Sequence, residues 1–99
     1  MTKPNNAEGY YRLGTNNADA GNYRQAIVDF SRSISLDPND AFAYYNRGLV
    51  KAKSQDLKGA ISDMQQATRL YQQQGKLQAA KDAIAQIKRW RQAQNNSGF

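Results

Sequence analysis

Apolar and small residues recur along this chain at spacings of three and four, which places them on one face of an α-helix. Tyr23, Ala26, Ile27, Phe30, Ser33, Ile34 and Leu36 form one such stripe. Leu57, Ala60, Ile61, Met64, Ala67 and Leu70 form a second, and Leu77, Ala80, Ala83, Ile84, Ile87 and Trp90 a third. No segment sustains period-two alternation, so no strand is predicted. Breakers divide the pattern into five helices. The first spans about Ala7–Ala20, with Asn6 as N-cap and Gly21 as the stop. Asn22 is placed to cap the second, with Gln25 as its capping-box partner. That helix closes at Asp37-Pro38, because proline disfavours helical geometry in the residue before it. Asp40 caps the third, about Ala41–Ser54, and Asp56 caps a fourth that runs on through Tyr71 towards Gly75. The fifth is read as Lys76–Gln92, with Lys81, Lys88 and Arg89 beside or opposite its apolar stripe. Asn95–Phe99 reads as a frayed tail. Linkers of two to four residues make neighbouring helices antiparallel.

The stripes belong to a repeat. Ala7-Glu-Gly-Tyr-Tyr-Arg-Leu-Gly14 returns 34 residues later as Ala41-Phe-Ala-Tyr-Tyr-Asn-Arg-Gly48. The same shift aligns Ala18 with Ala52, Ala26 with Ala60, Ile27 with Ile61, Asp29 with Asp63 and Leu36 with Leu70. A fixed period of this size signals units that bury their apolar faces only by stacking on one another.

Composition narrows the picture. Only about two such units fit in 99 residues. A hydrophobic fraction of 39% with mean hydropathy −0.88 suits an open solenoid better than a globule with one central core. Cysteine and histidine are both absent, which removes disulfides, thiolate nucleophiles, the usual general base and the commonest metal ligand. No apolar run reaches the length of a membrane span and no signal-peptide core is present, so the expectation is a soluble cytoplasmic protein or a piece of something larger. The formal charge of +6 resides wholly in residues 51–99, since acidic and basic residues cancel in 1–50. Such asymmetry attracts acidic partners, nucleic acid or anionic lipid, or is ordinary solvated helix surface.

The repeat resembles the tetratricopeptide repeat (TPR), on Tyr10, Leu13-Gly14, Gly21-x-Tyr23, Ala26, Phe30 and Pro38 in the first unit. Tyr44, Gly48, Leu57, Ala60, Met64 and Ala67 take the matching places in the second. The resemblance implies an all-α, right-handed solenoid of helical hairpins that serves protein–protein interaction. Gly14, Ala26, Gly48 and Ala60 fall where two helices must approach closely, with Tyr10 and Tyr44 filling the gaps between them. Three departures stand out. Asn17 and Lys51 replace the second aromatic of the first helix. Arg47 replaces Leu13, so its stem is expected to pack while its head reaches water. Gln72 replaces the closing proline, so the fourth helix need not stop on schedule.

Gly75-x-Leu77-x-x-Ala80-x-x-x-Ile84 echoes Gly21-x-Tyr23-x-x-Ala26-x-x-x-Phe30, but 20 residues after Gln55 rather than 34. The segment Met64–Gln74 then serves two units, and the last helix caps the open end. The alternative is one long helix through Gly75, favouring dimers or domain swapping over the expected monomer. The organisation is thus a lead-in (1–6), unit one (7–40), unit two (41–74), a capping helix (75–93) and a flexible tail (94–99).

The inventory for catalysis is nearly empty, and no catalytic, cofactor or metal-binding residue is assigned. Eight scattered carboxylates form no spaced pair with another catalytic group. Asp37-Pro38-Asn39-Asp40 lacks the later residues of a calcium loop. For binding, the resemblance points to the concave face lined by the first helix of each unit. It carries Glu8, Tyr11, Arg12, Thr15, Ala18 and Asp19, then Phe42, Tyr45, Asn46, Leu49, Ala52 and Lys53. Tyr11, Arg12, Thr15, Phe42, Tyr45, Asn46, Leu49 and Lys53 are the candidate contacts for a protein or peptide partner. Phe42, Tyr45 and Leu49 form an apolar stripe that is either an open groove or covered by the last helix. The carboxylate clamp of one TPR subclass is matched only at Asn46, so that ligand is excluded, while acidic peptides remain compatible with the basic half. Lys81, Lys88, Arg89 and Arg91 around Trp90 form a basic patch, an alternative nucleic-acid or acidic surface. Trp90 itself either stacks on a ligand or anchors the cap.

Overall fold

The computed structural model describes residues 5–96. They form α1 (Ala7–Asp19), α2 (Tyr23–Leu36), α3 (Ala41–Lys53), α4 (Leu57–Gln73) and α5 (Leu77–Asn96), with no strand among the described residues. Each helix packs on the next in an all-α helical solenoid. Its shortest dimension, 18 Å, is about two helix diameters.

Local chemistry sets the boundaries. The side chains of Asn6, Asp40 and Asp56 accept from the backbone N–H groups of Gly9, Phe42 and Gly59 at 2.7, 3.0 and 2.9 Å. The capping box expected at Asn22 does not form: Asn22 makes no side-chain cap bond. Gln25 instead donates to Asp29 Oδ1 at 3.0 Å, drawn inwards by a buried acceptor.

Three turns share one geometry. Gly21, Gln55 and Gly75 adopt φ of 81°, 73° and 72°, the left-handed region that closes a helix. After each turn the next amide reaches back five residues at 2.8 Å, Asn22 to Asn17, Asp56 to Lys51 and Lys76 to Tyr71. The α4–α5 connection is therefore a turn within a hairpin, unlike the Asp37–Asp40 link between units. It breaks the chain at Gly75, so one continuous helix does not form. Ala26, Ala60 and Ala80, five residues past each turn, are all buried. So are Asp29, Asp63 and Ala83, eight past each turn. The segment of α4 before Gly75 acts as first helix to α5, and α4 serves two hairpins.

The core has two centres. Ala26, Phe30 and Val50 form one, with Tyr11, Ala18, Tyr23 and Ile27 packed on it. The larger joins Ala41, Met64, Leu70 and Tyr71 to Ala80, Ala83, Ile87 and Trp90. Gly14 permits the close approach of α1 to α2, since a Cβ there would lie 2.8 Å from the Phe30 ring.

Several expectations change. Leu36, Leu77 and Ile84 are exposed rather than buried with their stripes. α5 continues to Asn96 instead of ending near Gln92, so residues 94–96 of the expected tail are helical; 97–99 lie outside the described residues. Arg47 turns inwards. Its Nε and a terminal nitrogen donate to Asp63 Oδ2 and Oδ1 at 2.8 and 2.7 Å, and its other terminal nitrogen to Ser31 Oγ at 3.1 Å. The aligned aspartates explain the departures from the aromatic pattern. Asn17 Nδ2 donates to Asp29 Oδ2 at 2.7 Å, and Lys51 Nζ lies 3.1 Å from Asp63 Oδ2. The third hairpin puts Tyr71 and Ala83 in the same two places, an apolar version of the pair.

Candidate functional site

The first helices of the two units stand side by side, and one hydrogen bond fixes their spacing. Asn46 Nδ2 donates to Tyr11 Oη at 2.8 Å and to the Phe42 carbonyl at 2.9 Å. Thr15 donates back to the Tyr11 carbonyl at 3.0 Å, and Tyr11 stacks edge-on against Phe30 at 5.7 Å. Tyr11 is thereby held from two sides, half-buried, with its ring bordering the concave surface.

Phe42 divides that surface into two cavities. One, about 380 Å³, lies among Ala7, Glu8, Tyr11, Asp37, Asp40 and Phe42. The other, about 270 Å³, lies among Phe42, Tyr45, Asn46, Tyr71, Ala79 and Asp82. Phe42 is 50% exposed although it packs edge-on against Tyr71 at 5.6 Å. Lys76 holds its ammonium 5.0 Å from the Phe42 ring centre, a cation–π contact. Tyr45 and Leu49 are half-buried against the cluster that α5 completes. The apolar stripe is thus neither fully open nor covered: it is open at Phe42 and closes towards Leu49. Arg12 pairs with Glu8 at 2.7 Å in solvent, and Lys53 is exposed in the last turn of α3.

The two cavities differ in sign from the chain. Glu8, Asp37, Asp40 and Asp82 line them in a protein of formal charge +6. Burial pushes the Tyr11 phenol up, and the Asp40 carboxylate adds to the rise while the Asn46 hydrogen bond opposes it. Burial pushes the Tyr71 phenol up to about 12, with Tyr45, Tyr11 and Asp40 adding to it. Both phenols are neutral near pH 7; Tyr11 borders the surface, whereas Tyr71 is only 2% exposed and supports Phe42 from within the core. Sequence reasoning missed Tyr71. Its signal was its place four residues before Gly75, where Asn17 and Lys51 stand before Gly21 and Gln55.

The basic residues of α5 do not line either cavity. Lys81, Lys88, Arg89 and Arg91 are exposed, whereas Trp90 is buried beside Ile87 and Ala83. Trp90 anchors the helix to the core and presents no ring for stacking on a ligand.

One TPR repeat family model matches residues 18–55, and a second, described as the tetratricopeptide repeat, matches 43–72. The chain is a TPR domain protein. Two crystal structures of MamA share the fold of this TPR chain. One matches at 23% identity and TM-score 0.63, covering 92% of this chain and 61% of MamA. The other matches at 22% identity and TM-score 0.63, covering 95% and 59%. The chain therefore spans about three-fifths of the MamA chains it matches. No curated protein matches the sequence. TPR repeats in general mediate protein–protein interaction and are typically non-enzymatic. Among the described residues of this TPR protein no helix is long and apolar enough to cross a membrane, and no cluster of metal-binding side chains is found.

Proposed function

We propose that this TPR domain is a non-catalytic adaptor, cytoplasmic and monomeric, that presents the α1–α3 groove to a short peptide segment of a partner protein. The observation that supports this reading is the pair of cavities meeting at half-exposed Phe42, with Tyr11 fixed on one side and Tyr45 and Asn46 on the other. Aromatic anchors beside shallow cavities carry most of the affinity in peptide grooves. Arg12, Thr15, Leu49 and Lys53 flank them. The lining carboxylates favour a peptide that brings a cationic or neutral side chain to Tyr11 and Phe42, while an acidic partner is better served by the basic surface outside the groove.

The test is selection of binding peptides from a displayed library, followed by titration against Phe42→Ala and Tyr11→Phe variants. Phe42→Ala removes an exposed ring and should weaken selected peptides about tenfold or more, the loss of one buried aromatic contact. Tyr11→Phe keeps the ring and removes only the Asn46 hydrogen bond, so it should weaken them less. Equal binding by wild type and Phe42→Ala would place the contact surface elsewhere.

A further inference from the structure

α5 occupies the place of a second helix in a hairpin, and second helices in this molecule are covered on two sides. α2 packs against α1 and α3, and α4 against α3 and α5, whereas α5 packs against α4 alone in any substantial way. One position differs in exposure among the three hairpins, although Phe30 and Met64 also face Gly14 and Gly48 of their own first helices. Nine residues past the shared turns stand Phe30, Met64 and Ile84, which are 1%, 0% and 37% exposed. Leu77 is 63% exposed on the same helix.

Leu77, Lys81, Ile84, Lys88 and Arg91 follow one another at spacings of four, three, four and three, and all five are exposed. That spacing is the seam by which one helix packs along another. No ion pair engages Lys81, Lys88 or Arg91 among the described residues. The seam therefore combines two aliphatic side chains with three uncompensated cations, on the half of the chain that holds the whole net charge.

We propose that this face of α5 docks an acidic amphipathic helix of a partner protein, seated on α5 as α3 is seated on α2. Apolar residues of that helix would cover Leu77 and Ile84, and carboxylates on its flanks would meet Lys81, Lys88 and Arg91. Nucleic acid satisfies the cations but leaves both aliphatic side chains without a partner, and the seam has no aromatic ring to receive a base. An anionic membrane requires a broad apolar face, and that of α5 is spent on α4 through Ala80, Ala83, Ile87 and Trp90. A helix with acidic flanks matches both the spacing and the charge.

Fluorescence anisotropy of the full chain tests this with a labelled synthetic peptide of about five helical turns. Its leucines recur at spacings of three and four, with glutamates on the flanks; a control carries glutamine for glutamate. Comparison probes are unrelated single-stranded RNA and phosphatidylserine vesicles, and sedimentation equilibrium follows the protein alone. The acidic peptide should bind at least tenfold more tightly than the glutamine control. Binding should fall at least tenfold in the surface variant Leu77→Ser/Ile84→Ser and in the charge reversal Lys81→Glu/Lys88→Glu. A lysine-flanked peptide should then bind the charge-reversed protein. Circular dichroism checks that both variants stay folded, and the groove variant Phe42→Ala should leave this binding unchanged. Absence of peptide binding, or equal binding of acidic and glutamine peptides, would overturn the proposal. So would RNA or vesicle binding that survives the loss of Leu77 and Ile84, or self-association abolished by that same double change.

Discussion

Asp63 is the acid on which the second unit depends, and replacing it by asparagine keeps its shape while removing its charge. Arg47 and Lys51 then lose their counter-charge with side chains only 18% and 20% exposed. Each pair, with charge centres about 4 Å apart, is worth about 4 kcal/mol at an effective dielectric of about 20. Solvent reaching both cations returns part of that. Breaking a buried pair commonly costs about 3–5 kcal/mol, so Asp63→Asn should cost about 2–4 kcal/mol here. For a domain of this size that lowers the melting temperature by about 10–20 °C. The first unit supplies the control. Asp29 is bonded by the neutral amides of Asn17 and Gln25, so Asp29→Asn should cost only about 1–2 kcal/mol. The third hairpin suggests the rescue, because Tyr71 and Ala83 already form the apolar version. The double change Arg47→Met/Asp63→Leu should cost less than either single change, leaving Lys51 to reach water along its stem. Urea unfolding followed by far-ultraviolet circular dichroism gives the free energies of wild type, both asparagine variants and the three members of the Arg47→Met/Asp63→Leu cycle. A coupling below about 0.5 kcal/mol in that cycle would refute the reasoning, as would an Asp63→Asn cost no greater than that of Asp29→Asn.

Two further outcomes follow from packing and protonation. Gly14→Ala should lower thermal stability by about 1–3 kcal/mol, because its Cβ falls 2.8 Å from the ring of fully buried Phe30; a higher melting temperature would show that α1 can shift to admit it. Stability should fall as pH rises from 10 towards 12, because Tyr71 ionises near 10 when unfolded and near 12 when folded, so the unfolded state releases its proton first. Denaturant titrations across that range should show a smaller loss in Tyr71→Phe, and an equal loss in both proteins would remove Tyr71 as the cause.

The scaffold was legible because it is written twice. Ala7–Gly14 and Ala41–Gly48 repeat the residues that let helices touch, and N-caps and turn residues marked most boundaries within one or two positions. What remained illegible was polar pairing across helices. Nothing in the local pattern shows that Arg47 turns towards Asp63, since an arginine on a helix can snorkel as easily as it can pair. The clue was joint: Asp29 and Asp63 recur at one position, and Asn17 and Lys51 break the aromatic pattern at another. The fate of the apolar stripes was legible only in part. Periodicity says which face of α5 is apolar, but whether Ile84 is covered depends on a neighbour, and periodicity carries no information about neighbours. The candidate contacts on α1 and α3 were named from resemblance, whereas Tyr71, which supports Phe42 from the core, came from the shortened third interval and needed the structure.

The proposed groove also joins helices of unequal firmness. α3 is packed from both sides, while α1 stands at the end of the stack and buries only Gly14 completely. Local opening of the native state should therefore begin with α1, whose amides would exchange with solvent well before those of α3 and α4. A ligand lying between Tyr11 and Phe42 would bridge the loosest helix and one of the tightest. Its affinity and the protection of α1 from exchange are then linked quantities, each raising the other by the same free energy.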